Sequence, residues 1–141
     1  MHIGAFTYYY YPIINGVVIT IADWMRMAEV HNIPVTVFAP QIGGVSGNDP
    51  RVVSYPAVPI YRKFGITVPL LPELTLESQL RTREVSLIHV HHPFYIGNVA
   101  LYFKKKLQVP IVFTYHTRYS DYFRSYFPKL SSIFFEKLVT A

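Results

Sequence analysis

Short apolar segments that alternate with helical patterns constrain the fold of this chain more than any other feature of its sequence. The segments predicted as strands span residues 2–6, 34–40, 51–56, 85–90 and 109–116. Apolar side chains at three- and four-residue spacing predict helices over residues 17–30, 73–83 and 93–107. Strands that are apolar on both faces and alternate with helices are typical of a parallel sheet covered on both sides. The sequence therefore predicts an α/β, Rossmann-like domain.

Two other stretches do not follow this alternation. Residues 57–72 are rich in proline, and we expect an irregular segment there. From about residue 121 the chain has aromatic residues at helical spacing, which predicts a helix that packs an aromatic face on the core.

Three polar and aromatic segments follow the carboxyl ends of predicted strands. They are "FTYYYYPIING", "HHPF" and "YHTRY". Ligands of open α/β sheets bind beyond the carboxyl ends of the strands, so we expect all three segments to meet in one candidate site.

The pair Asn15-Gly16 stands at the predicted start of the first long helix. Free backbone N–H groups at a helix start, with no side chain at Gly16 to obstruct approach, suit a phosphate group. An ordinary helix cap requires the same residue types, so the pair alone leaves both interpretations open.

Three histidines close the strand over residues 85–90. Alternation along a strand places His89 and His91 on one face and His92 on the other. His91 is nearer the strand end, which favours it over His89 for proton transfer or sugar binding. His89, His91 and His116 also resemble a metal-ligand set, so a metal-dependent hydrolase is an alternative. A third interpretation is that the ring nitrogens only bond loop carbonyls.

Charge and composition limit the partners. The chain has 13 Lys and Arg residues against 8 Asp and Glu, a net charge of +5, and no cysteine. A basic excess favours an anionic partner. Arg62 and Lys63 lie between aromatic residues and suggest contact with an anionic membrane surface. The remaining basic residues are scattered, which argues against nucleic acid.

No signal peptide is expected, because the amino terminus lacks a basic flank and a small-residue cleavage site. The uncharged stretch over residues 3–22 is interrupted by Pro12, Asn15 and Gly16, so we do not expect it to span a membrane.

In combination, "IGAFTYYYYPIINGVVITI", "VTVFAP", "VVSYPAVPI", "IHVHHPF" and "VPIVFTYHTRYSDYF" resemble the amino-terminal domain of a family 4 retaining glycosyltransferase with the GT-B fold. The resemblance is greatest to the subgroup that glycosylates lipids, such as glucosyl-diacylglycerol synthases and phosphatidylinositol mannosyltransferases. It implies hexose transfer from a nucleotide sugar (UDP- or GDP-hexose) to a lipid hydroxyl group, with retention of configuration and with no bound cofactor or metal.

The resemblance also implies residue roles. Asn15 and Gly16 match the turn that lies against the donor diphosphate, and His91 matches the catalytic histidine beside the transferred sugar. His116 and Thr117 match a pair that lines the same cleft. Arg118 follows them and is a candidate contact for lipid or substrate anions.

Two departures from the family pattern affect these expectations. Tyr8 stands where the family commonly has an Asp in the acceptor cleft, so acceptor choice is expected to differ. The donor-nucleotide domain, with its Glu-x7-Glu pattern, would follow the point where this sequence stops. We therefore expect residues 1–141 to be the acceptor-side domain alone, inactive without its partner domain and peripheral at the cytoplasmic face of a membrane. A non-catalytic lipid-binding domain is the remaining alternative.

Overall fold

A computed structural model of the chain describes residues 1–41, 49–61, 66–70, 72–93 and 95–116. In this part of the chain, five strands form a parallel sheet: β1 (Ile3–Phe6), β2 (Val35–Pro40), β3 (Val52–Tyr55), β6 (Leu87–Val90) and β7 (Ile111–Phe113). The strand order is β3-β2-β1-β6-β7. The helices are α1 (Gly16–Val30), α2 (Pro72–Thr82) and α3 (Tyr95–Leu107). The predicted Rossmann-like architecture is confirmed.

Helices cover both faces of the sheet, as predicted. The face under α1 is largely apolar, and its buried hydrophobic residues include Ile3, Ala5, Val18, Ile21, Met25, Val35, Val37 and Ala39. The opposite face packs against α2 and α3, and its buried residues include Phe6, Phe38, Tyr55, Leu76, Leu80, Ile88, Val90, Ile96 and Phe103. The Phe6 and Phe38 rings stack on this side with centroids 5.1 Å apart. The side chains of β1 alternate between the two clusters, because successive residues of a strand point to opposite faces.

The prediction of an irregular segment over residues 57–72 is wrong. The structure has an antiparallel two-stranded sheet there, formed by β4 (Ala57–Tyr61) and β5 (Ile66–Pro69). The register shifts between Pro59 and Tyr61. Proline lacks an N–H and is tolerated on edge strands, and both strands of a two-stranded ribbon are edges. The prolines therefore made this antiparallel pair of strands appear irregular in the sequence.

Several predicted features lie outside the described residues. They are the membrane-contact pair Arg62 and Lys63, the cleft residues Thr117 and Arg118, and the aromatic helix from about residue 121. Of the helices described, none combines the length and apolarity needed to cross a membrane.

The strand order fixes where a ligand would bind. The chain runs from β1 outward through β2 to β3, then returns to place β6 on the other side of β1. Residues Phe6 and Val90 are paired at the ends of β1 and β6, and the N–H of His91 donates to the Phe6 carbonyl at 3.0 Å. In open α/β sheets such a reversal of strand order marks the crevice where ligands bind, beyond the carboxyl ends of the strands. We call the carboxyl ends of β1 and β6 the carboxyl edge.

Candidate active site

The start of α1 lies at the carboxyl edge and is open. Asn15 is the cap residue, and its side-chain oxygen accepts a hydrogen bond from the Val18 N–H at 2.9 Å. The N–H groups of Gly16 and Val17 precede the first intrahelical bond, so neither has an acceptor within the helix. A Cβ atom built at Gly16 would have no neighbour within 4 Å among the described residues. The backbone here is accessible to an anion, while Asn15 acts as the helix cap.

An aromatic cluster lies around the carboxyl end of β6 on the α1 side of the sheet. It comprises Trp24, His89, His91 and His116, and we call it the histidine stack. The His89 and His91 rings are 4.1 Å apart between centroids, which confirms that they share a face. Trp24 of α1 packs edge-on against His89 at 4.8 Å, and His116 stacks on His91 at 5.1 Å. The candidate catalytic histidine is thus held between two other imidazoles.

Hydrogen bonds fix the histidine stack. His91 Nδ1 lies 2.8 Å from His116 Nε2, and His89 Nε2 lies 2.7 Å from the Thr114 hydroxyl. His91 is only 2% exposed. Its other ring nitrogen, Nε2, is buried and has no hydrogen-bond partner among the described residues.

Burial determines the charge of this cluster. It lowers the pKa of His91 to about 2, with smaller contributions from the neighbouring His89 and His116. Burial also lowers the pKa of His89 and of the partly exposed His116. The imidazoles are therefore neutral at physiological pH, and each ring has one N–H donor and one bare acceptor nitrogen.

The geometry argues against the metal-ligand interpretation of these histidines. Within the described ranges, no group of three or more His, Cys, Asp or Glu residues is arranged to hold a metal ion. Two nitrogens that bind one tetrahedral zinc at about 2.0–2.1 Å would lie roughly 3.3 Å apart. The 2.8 Å between His91 Nδ1 and His116 Nε2 is instead a hydrogen-bond distance.

Comparison with known proteins identifies the family. Residues 14–141 match Glycosyltransferase Family 4. The chain belongs to this family. Its sequence is 32% identical over 125 residues to the alpha-monoglucosyldiacylglycerol synthase of Acholeplasma laidlawii, a match that covers 86% of this chain and 31% of that protein. A protein of the same name from Streptococcus pneumoniae (strain ATCC BAA-255 / R6) is 29% identical over 130 residues, covering 86% of this chain and 28% of the relative. The chain thus spans about three tenths of the length of these relatives.

In this family 4 domain, His92 has a structural role that the sequence analysis did not predict. Its ring lies on the opposite side from His91, edge-on to Tyr8 at 5.3 Å and to Tyr9 at 5.5 Å. His92 Nδ1 accepts a hydrogen bond from the Tyr8 N–H at 3.3 Å. Burial, and then the charge of His116, lower the pKa of His92 to about 4. A neutral His92 therefore ties the β1–α1 loop to the end of β6.

The Tyr8 hydroxyl group connects the β1–α1 loop to the β6–α3 junction. The Ile96 N–H in the first turn of α3 donates to the Tyr8 oxygen at 3.2 Å. Burial raises the pKa of Tyr8 to about 12, so the phenol stays neutral. The expected role of Tyr8 in the choice of the sugar acceptor remains a prediction. In the structure its hydroxyl group accepts a hydrogen bond at the start of α3.

Trp24 and Gly97 are two further residues whose positions the sequence did not reveal. Helical spacing predicted the helix that carries Trp24, over residues 17–30, but not the contact of Trp24 with His89. A Cβ atom at Gly97 would lie 3.1 Å from the His92 carbonyl oxygen, so α3 approaches the end of β6 closely. Neither contact follows from a local pattern, because each joins separate elements.

Proposed function

We propose that this chain is the acceptor-side domain of an enzyme that transfers a hexose from a nucleotide sugar to a hydroxyl group of a diacylglycerol-type lipid, with retention of configuration. Family membership and the names of the two relatives support the reaction class. One observation carries the assignment to this site. Two features follow neighbouring strands at the carboxyl edge: a helix start at Gly16 that no described residue obstructs, and the buried imidazole of His91, whose Nε2 has no hydrogen-bond partner among the described residues.

The helix start would bind the donor diphosphate. The two N–H groups at Gly16 and Val17 and the positive end of the α1 dipole would stabilise the negative charge that grows on the leaving nucleoside diphosphate. Such stabilisation lowers the barrier only because the charge is larger in the transition state than in the bound donor.

His91 would bind the transferred sugar as a neutral group. The transition state for breaking a glycosidic-type bond carries positive charge on the sugar ring. A cationic imidazole beside it would be repelled, whereas burial lowers the pKa of His91 to about 2 and keeps the ring uncharged. A neutral imidazole hydrogen-bonds a sugar hydroxyl group without that electrostatic cost.

The remaining donor contacts would come from a second, donor-nucleotide domain. The relatives extend well beyond the region matched here, which leaves room for such a domain. Closure of two domains would exclude water from the cleft, which a transferase requires to avoid hydrolysing its donor. The donor would be a UDP- or GDP-hexose, with no cofactor in the chemistry.

Arg62 and Lys63 would hold the enzyme at the anionic inner face of a membrane, where its lipid acceptor lies. Each basic residue near such a surface contributes about 1 kcal/mol to binding. We expect Arg62→Glu with Lys63→Glu to weaken co-sedimentation with phosphatidylglycerol vesicles by at least about tenfold. Equal binding of the double variant and the unmodified protein would contradict this contact, and phosphatidylcholine vesicles provide the control.

Glycolipid formation by the full-length protein tests the proposed function. The protein is incubated with radiolabelled UDP-glucose, UDP-galactose or GDP-mannose and vesicles that contain diacylglycerol, and the lipid product is identified by mass spectrometry and its anomeric configuration by NMR. We expect one donor to label the lipid, His91→Ala to reduce the rate by about a hundredfold or more, and His31→Ala, at an exposed position, to have no effect. Vesicle binding without any product would instead favour a lipid-binding domain. Bound zinc that is lost in His91→Ala would favour the hydrolase.

A further inference from the structure

The bond between His91 and His116 limits the ways in which His91 can meet a substrate. Both rings are neutral, so one of the two facing nitrogens carries a proton and the other accepts it. Two arrangements are possible. Either His91 Nδ1–H donates to His116 Nε2, or His116 Nε2–H donates to His91 Nδ1, across the same 2.8 Å.

The two arrangements leave different groups at the buried nitrogen of His91. In the first, His91 Nε2 is a bare acceptor. In the second it is an N–H donor, buried and without a partner among the described residues. In folded proteins, buried N–H groups without an acceptor are rarer than under-satisfied buried acceptors.

The first arrangement also suits the second ring. When His116 Nε2 accepts, His116 carries its proton on Nδ1. His116 is partly exposed, so its Nδ1–H can be hydrated. His89 does not compete for the His91 proton, because its Nε2 is bonded to the Thr114 hydroxyl at 2.7 Å. The His89 ring packs against the His91 ring at a tilt of 35°.

We propose that His116 is a positioning residue that holds His91 in the Nδ1–H tautomer, so that His91 Nε2 is a hydrogen-bond acceptor for a hydroxyl group of the bound substrate. That this hydroxyl belongs to the transferred hexose rests on the proposed function. The tautomer itself does not, because it follows from distances and burial within this chain.

The consequence is a requirement on the ligand. A hydroxyl group that reaches His91 Nε2 must donate its hydrogen, and a group that can only accept is excluded. A deoxy or methyl-ether analogue at that position of the hexose cannot donate, and each buried acceptor left without its hydrogen bond weakens recognition. We expect a nucleotide sugar with such a change to react at least about tenfold more slowly than the unmodified nucleotide sugar.

NMR of the full-length protein labelled with ¹⁵N-histidine tests the tautomer directly, through correlations between ring nitrogens and carbon-bound protons. His91→Asn assigns the His91 signals. We expect protonated Nδ1 and bare Nε2 in the unmodified protein. His116→Leu removes the acceptor and should shift His91 toward the Nε2–H form. His116→Gln places an amide oxygen at the site and should restore the original tautomer, and the exposed His31→Gln should change nothing.

Two results would overturn the proposal: a protonated Nε2 on His91 in the unmodified protein, or an unchanged tautomer in His116→Leu. If His116→Leu fails to fold, the unmodified protein and His116→Gln still decide it.

A kinetic measurement then tests the positioning role. We expect kcat to fall about tenfold in His116→Leu with a smaller change in KM, and to recover at least half of that loss in His116→Gln. Loss in both variants alike would show that His116 acts in some way other than accepting the His91 proton. An unmodified protein that makes no glycolipid would contradict the proposed function, and the NMR result would still decide the tautomer.

Discussion

Two helix starts lie at the carboxyl edge, and they are built in opposite ways. At the start of α1, a Cβ atom at Gly16 would meet no atom of the described part of the chain within 4 Å. At the start of α3, the Ile96 N–H is bonded to Tyr8, and a Cβ atom at Gly97 would meet the His92 carbonyl oxygen at 3.1 Å. Both helices present the positive end of a dipole to the same crevice. We therefore expect an anionic ligand to bind at the start of α1 rather than at the start of α3.

The β1–α1 junction, which is open, supplies the side chain that bonds the start of α3 at the β6–α3 junction. Tyr8 belongs to the loop that follows β1, yet its hydroxyl bonds the first turn of α3, and its backbone N–H bonds His92. The β1–α1 loop is therefore fastened to the β6–α3 junction at two points. The four variants and conditions below perturb one junction while leaving the other unchanged.

Acid should destabilise the β6–α3 junction, and we expect this to be the largest of the four effects on the free energy of unfolding. Burial lowers the pKa of His92 to about 4 and that of His91 to about 2, whereas an unfolded histidine titrates near 6.5. The unfolded state therefore gains protons first as the pH falls. The stabilisation that comes from burying these histidines in neutral form is complete above about pH 6.5 and is lost as the pH falls toward the folded pKa values. Between pH 7 and pH 5, we expect each histidine to lower the free energy of unfolding by about 2 kcal/mol.

Urea denaturation at a series of pH values measures this loss. His92→Asn keeps an acceptor for the Tyr8 N–H but does not titrate, so we expect a flatter dependence on pH between 7 and 5. His31→Gln, at an exposed histidine, should follow the unmodified protein. A His92→Asn variant with the full pH dependence would show that His92 does not titrate with folding.

Gly16→Ala tests the open junction and should change activity without changing stability. The added methyl group meets no atom of the described residues within 4 Å, so the free energy of unfolding should stay the same or rise by up to about 1 kcal/mol. The same methyl group stands where the diphosphate would approach. We expect kcat/KM for the nucleotide sugar to fall about 10- to 100-fold, equivalent to about 1.4–2.7 kcal/mol. Met27→Ala, at an exposed site of the same helix, is the control. Unchanged kinetics in Gly16→Ala would contradict diphosphate binding at the start of α1.

Gly97→Ala tests the filled junction and should have the opposite effect on stability. Alanine is favoured over glycine within a helix by about 1 kcal/mol, but overpacking typically costs about 1–3 kcal/mol. The nearest atom is a backbone oxygen of buried His92, which cannot rotate away. We expect a net loss of about 1 kcal/mol, seen as a decrease of about 4 °C in Tm. A Tm equal to or above that of Gly16→Ala would remove the contrast between the two junctions.

The sheet and its helices were predictable because their patterns are local. Alternation along β6 placed His89 and His91 on one face, and apolar spacing located α1 and α3 to within two residues at their starts. The antiparallel pair of β4 and β5 escaped prediction because prolines in this part of the sequence are typical of irregular chain.

The contacts that define the site were not predictable in the same way. The Tyr8–His92 hydrogen bond joins residues 84 apart in sequence, and the His91–His116 bond joins residues 25 apart. The order of the strands brings these residues together, and no local pattern encodes that order. The sequence could therefore indicate which segments meet at the carboxyl edge, but not which atoms bond there or which helix start stays open.

Tyr8→Phe should have the smallest effect on stability and should make the two junctions more alike. The ring and its packing against His92 are retained, and only the acceptor for the Ile96 N–H is lost. A typical intramolecular hydrogen bond contributes about 0.5–1.5 kcal/mol, and Tyr8 is partly exposed, so we expect a loss near about 0.5 kcal/mol.

The informative measurement is the response of Tyr8→Phe to inorganic sulfate. An anion that binds only the folded state raises its stability in proportion to the logarithm of its concentration above Kd. Because the freed Ile96 N–H points out of a helix start, sulfate should raise the Tm of Tyr8→Phe more than that of the unmodified protein. Gly16→Ala should show the reverse, a smaller response than the unmodified protein. If sulfate raises the Tm of all three proteins equally, then Tyr8 does not close α3 to anions, and the crevice selects its ligand by some feature other than the availability of helix N–H groups.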